Sequence, residues 1–197
     1  HALRGKKMDI GDVDLAPACR ACEYPVAENA DILIGLYGMD IDQSLLVQSR
    51  TEAGDHILKQ MNPAAADEPR GRQDIIKAVI KQRTQCRDDM FTRTREDTDS
   101  LEKISTYFAT CVNCYNCRVA CPVCYCRECV FVTDTFKHNS DQYFRWSEKR
   151  GALKMPTDTL FYHLTRMMHM STLCVGCGQC TSACPNGINV MEIFRAV

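Results

Sequence analysis

The chain has 197 residues, 45% of them hydrophobic, enough to bury a core and to form one or two domains. Its 24 Lys and Arg stand against 25 Asp and Glu, so no basic surplus recommends nucleic acid as a partner. No apolar run approaches the roughly 20 residues that a membrane-spanning helix needs, and the 14 cysteines fit a soluble chain in a reducing compartment, expected to be the cytoplasm.

The first sixty or so residues read as a β-containing piece. ADILIGLYGMD (30–40) is a short apolar run closed by Gly35 and Gly38, and SLLVQSR (44–50) is a second. MNPAAADEPRGRQ (61–73), with Pro63, Pro69 and Gly71, is the best linker. Beyond it, Ile75, Ile76, Val79, Ile80, Cys86 and Met90 recur at helical spacing as one apolar stripe. Leu101, Ile104 and Phe108 then carry a second helix into a cysteine-rich loop.

That loop, CVNCYNCRVACPVCYCRECV, places Cys111, Cys114, Cys117 and Cys121 in the order C-x-x-C-x-x-C-x-x-x-C-P, closed by Pro122. The pattern returns 63 residues later as CVGCGQCTSACPNGI, with Cys174, Cys177, Cys180, Cys184 and Pro185. Three thiolates on one short loop wrap an iron-sulfur cube, and the fourth reaches the other cube. The spacing therefore assigns Cys111, Cys114, Cys117 and Cys184 to one 4Fe-4S cluster, and Cys174, Cys177, Cys180 and Cys121 to a second. Each proline is expected to sit in the first turn of a helix opened by the fourth cysteine, because it lacks an N–H and fixes its own φ. Gly176, Gly178 and Gly187 are expected to allow tight turns beside the sulfides. Zinc has no use for a third cysteine at the next step of three or for a trailing Cys-Pro. A disulfide framework needs an oxidising compartment, and buried free thiols do not explain a repeated spacing.

Between the motifs lie 52 residues, more than a compact two-cluster ferredoxin uses, so an insertion is expected at 124–171. Its end, MPTDTLFYHLTRMMHMS (155–171), reads as a helix capped by Thr157 or Asp158, with Leu160, Phe161, Leu164, Met167 and Met168 on one face. The methionines read as core packing. His163 and His169, six apart, read as structural or surface residues.

Six cysteines remain. Cys124, Cys126 and Cys129 are one short of a cluster; Cys86 completes a third cube, or else it merely extends its helix's apolar stripe and the other three are buried thiols. Cys19 and Cys22 form a lone C-x-x-C, either half of another cluster or a redox pair.

ACRACEYPVAENADILIGLYGMD followed by QSRTEAGDHIL resembles the C-terminal part of the beta subunits of coenzyme F-420-reducing hydrogenases and formate dehydrogenases, a flavin and iron-sulfur family, over about residues 10–60. The stretch 107–190 resembles a ferredoxin-containing extension of such subunits, found with formate dehydrogenase-like or heterodisulfide reductase-like partners. The resemblance makes Cys19 and Cys22 candidate ligands of a cluster in the flavin domain, a fourth cluster overall. It implies FAD in the intact protein and names no flavin-binding residue, because such subunits build much of that site in a preceding region. Since the chain opens at His1 and stops at Val197, inside the expected last helix, it reads as a fragment.

The expected fold class is α+β: residues 1–62 as part of a flavoprotein beta-subunit domain, 63–106 as a helical linker region, and 107–197 as a mainly helical, bacterial-type two-cluster ferredoxin domain with a long insertion. Clusters ligated only by cysteine have no open position, so the expected function is to relay electrons between a flavin and partner oxidoreductase subunits. The alternative is an adaptor whose clusters hold the fold and dock partners. A radical-generating cluster is disfavoured, since it needs a three-cysteine site with an open iron.

Overall fold

The computed structural model describes residues 15–150 and 157–197, the side chains of Arg150 and Thr157 excepted. It divides into two units, His1–Arg87 and Asp88–Val197. The described residues are rich in helix, with one small two-stranded sheet.

In the first unit, α1 (Pro17–Arg20) precedes strands β1 (Ile32–Gly35) and β2 (Leu46–Ser49). The strands pair antiparallel, Ile32 opposite Ser49 and Gly35 opposite Leu46, within the two apolar runs read as β structure. Helix α2 (Glu52–Met61) follows. Its N-cap is Thr51, whose hydroxyl accepts from the Gly54 N–H and donates to the Asp31 carboxylate. The Arg50 N–H donates to the Asp31 carbonyl at 2.9 Å. A Cβ on Gly54 would overlap that same carbonyl oxygen, so only glycine lets α2 come this close. The ADI and RTE-x-G segments are thus the two sides of one packed corner. α2 ends at Asn62 in the left-handed region, and an irregular stretch, 62–69, leads to the next helix.

Helix α3 (Arg72–Asp97) carries the expected stripe: Ile76, Val79 and Met90 are buried, Cys86 is half-buried, and Ile80 lies off the stripe at 36% exposure. At its start, Arg72 is buried and donates to the Tyr37 carbonyl. Further along, Arg83 donates to the Tyr37 hydroxyl at 3.2 Å, and Arg87 pairs with Glu23 at 3.0 Å.

In the second unit, α4 (Leu101–Tyr107) is capped by Ser100, whose hydroxyl accepts from the Lys103 N–H at 3.3 Å. Ile104 and Phe108 are buried as the spacing requires, whereas Leu101, in the first turn, is 65% exposed. Short helices α5 (Asn116–Val119) and α8 (Gln179–Ser182) hold the third cysteine of each motif. The insertion contributes two single-turn 3-10 helices at Val130–Val132 and Asp134–Phe136, then α6 (Ser140–Arg150) and α7 (Thr157–Met170). α7 opens at Thr157, so Asp158 stands in the first turn, where its charge suits the helix dipole, and does not cap; residues 151–156 lie outside the described set. Finally α9 (Val190–Ala196) buries Val190, Met191, Ile193, Phe194 and Ala196 in a core shared with Phe108, Tyr162 and Met170. No described helix is long and apolar enough to cross a membrane.

Candidate functional site

The two cysteine loops are built alike. In each, the third and fifth residues adopt left-handed backbone: Asn113 (φ 50°) and Tyr115 (φ 58°) in the first, Gly176 (φ 67°) and Gly178 (φ 77°) in the second. The reversal turns the N–H of Asn113 toward the Cys111 sulfur, and that of Gly176 toward the Cys174 sulfur, holding both thiols below where they would otherwise lie. Tyr115 and Gly178 then cap α5 and α8.

The fourth cysteines correct one expectation. Cys121 and Cys184 do not open helices; each begins a β-turn, closed by Cys124 N–H to the Cys121 carbonyl and by Gly187 N–H to the Cys184 carbonyl, both at 3.2 Å. Pro122 and Pro185 occupy the second turn position, where a fixed φ near −65° serves as well as it does in a helix.

Cys111, Cys114, Cys117 and Cys184 line one cavity of about 340 Å3, counted to its open mouth, together with Tyr162 and His163. Its lining therefore joins three thiols of the first motif to the fourth of the second. Burial raises the Cys111 thiol, and the neighbouring Cys117, Cys114 and Cys184 raise it further. On the other side, burial raises Cys174, with Cys121 and Cys177 adding to it. Burial also pushes Cys180 up to about 11, against the pull of Arg166 and with Cys174, Cys117 and Cys121 contributing. Cys121 is near enough to add to the rise of Cys174 and Cys180, and its Sγ is 3.9 Å from the Met170 sulfur. Thiols gathered at this cost favour a multiply charged soft metal group that takes them as thiolates. Among the described residues, no three Cys, His, Asp or Glu side chains converge tightly enough for a single metal ion. A larger all-thiolate group fits the donor set.

Helix α7 supplies what the sequence reading missed. Its buried face is not the apolar one: Phe161 and Met168 are 55% and 80% exposed, while Thr159, Tyr162, His163, Arg166 and Met170 are buried. Tyr162 Oη is 3.4 Å from the Cys117 sulfur, and His163 Nε2 is 3.3 Å from that of Cys111. Burial, aided by Arg166, lowers His163 to about 3, so its imidazole is neutral, stacked on Phe108 at 3.8 Å between ring centres. Burial raises Tyr162 strongly and keeps its phenol protonated. Arg166 Nη1 donates to the Cys117 sulfur at 3.0 Å and Nη2 to the Cys117 carbonyl at 3.1 Å. Residues 159, 162, 163, 166 and 170 do recur at helical steps; the signal was a polar stripe, passed over in favour of the apolar one.

The remaining cysteines are dispersed. Cys126 Sγ is 3.7 Å from His169 Nδ1, which removes His169 from the merely structural residues. Cys124 is half-buried after the first β-turn, and Cys129 precedes the first 3-10 helix. Cys86, on α3, falls in the first unit together with Cys19, which is exposed, and Cys22.

Residues 107–188 match the model of the 4Fe-4S dicluster domain family. Among curated proteins, the chain is 29% identical over 187 residues to the F-420-dependent formate dehydrogenase subunit beta of Methanocaldococcus jannaschii, covering 90% of this chain and 44% of that protein. It is 28% identical over 161 residues to the F-420-dependent formate dehydrogenase 1 subunit beta of Methanococcus maripaludis, covering 78% of this chain and 38% of that protein. The homologues are thus formate dehydrogenase beta subunits, as the motifs around Cys19 and Arg50 suggested, and the chain spans less than half their length.

Proposed function

We propose that the chain is an electron-transfer portion of a formate dehydrogenase beta subunit, relaying electrons between a flavin site and partner oxidoreductase subunits. The grouping of Cys184 with Cys111, Cys114 and Cys117 around one cavity carries the reading, because it is the arrangement two cubes with exchanged fourth ligands require. One cluster is held by those four thiols and the other by Cys174, Cys177, Cys180 and Cys121. Bound there, the clusters supply one-electron redox chemistry. The protein's own part is to exclude water, hold the sulfurs by N–H and Arg donors, and present the exposed Cys114 and Cys177 edges to donor and acceptor. FAD, and a further cluster using Cys19 and Cys22, are what the resemblance of residues 10–60 to flavin-containing beta subunits implies for the intact protein.

Intact protein purified anaerobically should contain at least about eight iron and eight sulfide per chain from two cubes, and dithionite or a physiological donor should generate reduced-cluster EPR signals. Iron without any reducible signal would favour a structural adaptor, and iron near four would overturn the two-cluster assignment. Denaturation should release FAD, detectable by chromatography; its absence would remove the flavin from the proposal and leave the clusters.

A further inference from the structure

Arg166 is the buried charged side chain among the described residues of the second unit, at 5% exposure. Burying a guanidinium is costly unless an opposite charge compensates. No described carboxylate pairs with it. Its partners are the Cys117 sulfur and carbonyl, which accept from Nη1 and Nη2. The Phe194 ring at 4.7 Å and the Tyr162 ring at 5.6 Å clamp the guanidinium in place. Nε has no partner among the described residues and remains a donor.

We propose that Arg166 sets the reduction potential of the cluster held by Cys117, its permanent charge stabilising that cluster's reduced form. The inference rests on the electron-transfer reading above. Each reduction adds one electron to a cluster; no bond forms or breaks, and no proton passes through Arg166, since a guanidinium stays charged across the working pH range. A fixed cation and N–H donors to sulfur both favour the state carrying more negative charge.

The test is an EPR-monitored redox titration, with dithionite as reductant, of the intact protein and three variants, each first assayed for iron and sulfide. With iron retained, Arg166→Met and Arg166→Gln should lower the reduced-to-oxidised ratio of the Cys117 cluster at least tenfold at fixed potential, about 59 mV for one electron. The other cluster should shift by less, and the shift should not vary with pH. Arg166→Lys, which keeps the charge, should recover more than half of the shift. Unchanged potentials in an iron-replete neutral variant, or equal shifts for Lys and Met, would overturn the proposal. So would loss of iron from both neutral variants, which would make Arg166 an assembly residue. Wild-type protein without reducible clusters would instead sink the electron-transfer reading, before any variant is compared.

Discussion

Cys121→Ala removes a half-buried thiol of the first motif that the proposed exchange assigns to the second motif's cluster. On packing grounds alone, a small truncation of this kind costs about 1 kcal/mol, too little to unfold a domain of ordinary stability, about 5–15 kcal/mol. If Cys121 is the fourth ligand of the second motif's cluster, the loss is far larger in iron than in packing: content should fall from about eight toward about four per chain, and metal-coupled folding should weaken with it. The assay is anaerobic iron and sulfide quantification with EPR of the reduced protein, comparing Cys121→Ala with Cys177→Ala and Cys114→Ala. The signal lost with Cys121→Ala should also be lost with Cys177→Ala and should persist in Cys114→Ala. The opposite grouping would show that each motif closes on its own cube and would refute the exchange of fourth ligands.

Phe108→Ala, which empties a 2% exposed site stacked on His163, should destabilise the second unit by about 3–5 kcal/mol in denaturant titration and loosen the Cys111 loop, whose N–H bonds the Phe108 carbonyl. Tyr115→Gly should be nearly neutral, since relief of about 1–2 kcal/mol of left-handed strain offsets loss of the edge contact with Tyr162. Tyr115→Ala, which keeps the strain, should be the less stable of the two by thermal melting. Gly54→Ala should cost about 1–3 kcal/mol or more by forcing α2 off the Asp31 carbonyl, while leaving the EPR signals of the two cubes intact. Cys126→Ala should leave about eight iron in place if only two cubes exist; a fall from about twelve to about eight would establish a third cube.

The elements legible in the sequence were those whose cause is local. Two short apolar runs, the first closed by glycine, became the strands, and a stripe at helical spacing became α3. A repeated cysteine spacing anticipated which thiols would share a cavity, because short loops fix how far a sulfur can reach. What stayed hidden depended on the environment a face meets. α7 was oriented by hydrophobicity, but the surface it covers is lined with thiols, so Tyr162, His163 and Arg166 turn inward and Phe161 and Met168 are left outside. The Cys-Pro steps were misassigned for a similar reason: φ near −65° suits both a helix start and a β-turn, and only the tertiary path of the chain chooses between them.

The same asymmetry gives the insertion a physical role. The second loop meets its two left-handed positions with Gly176 and Gly178, at no steric cost. The first places Asn113 and Tyr115 there, and each is engaged by α7: Thr159 donates to the Asn113 side-chain carbonyl at 2.8 Å, and Tyr162 meets Tyr115 edge-on at 5.0 Å. Those strained positions are therefore held by the inserted helix, which also places His163 on Cys111 and Arg166 on Cys117. The residues between the motifs are then a buttress for the first centre, and the two centres, alike in their cysteines, differ in the charge and donors around them. A difference of this kind would bias the direction of electron flow between the two proposed centres, because each potential follows the charge and donors around its sulfurs.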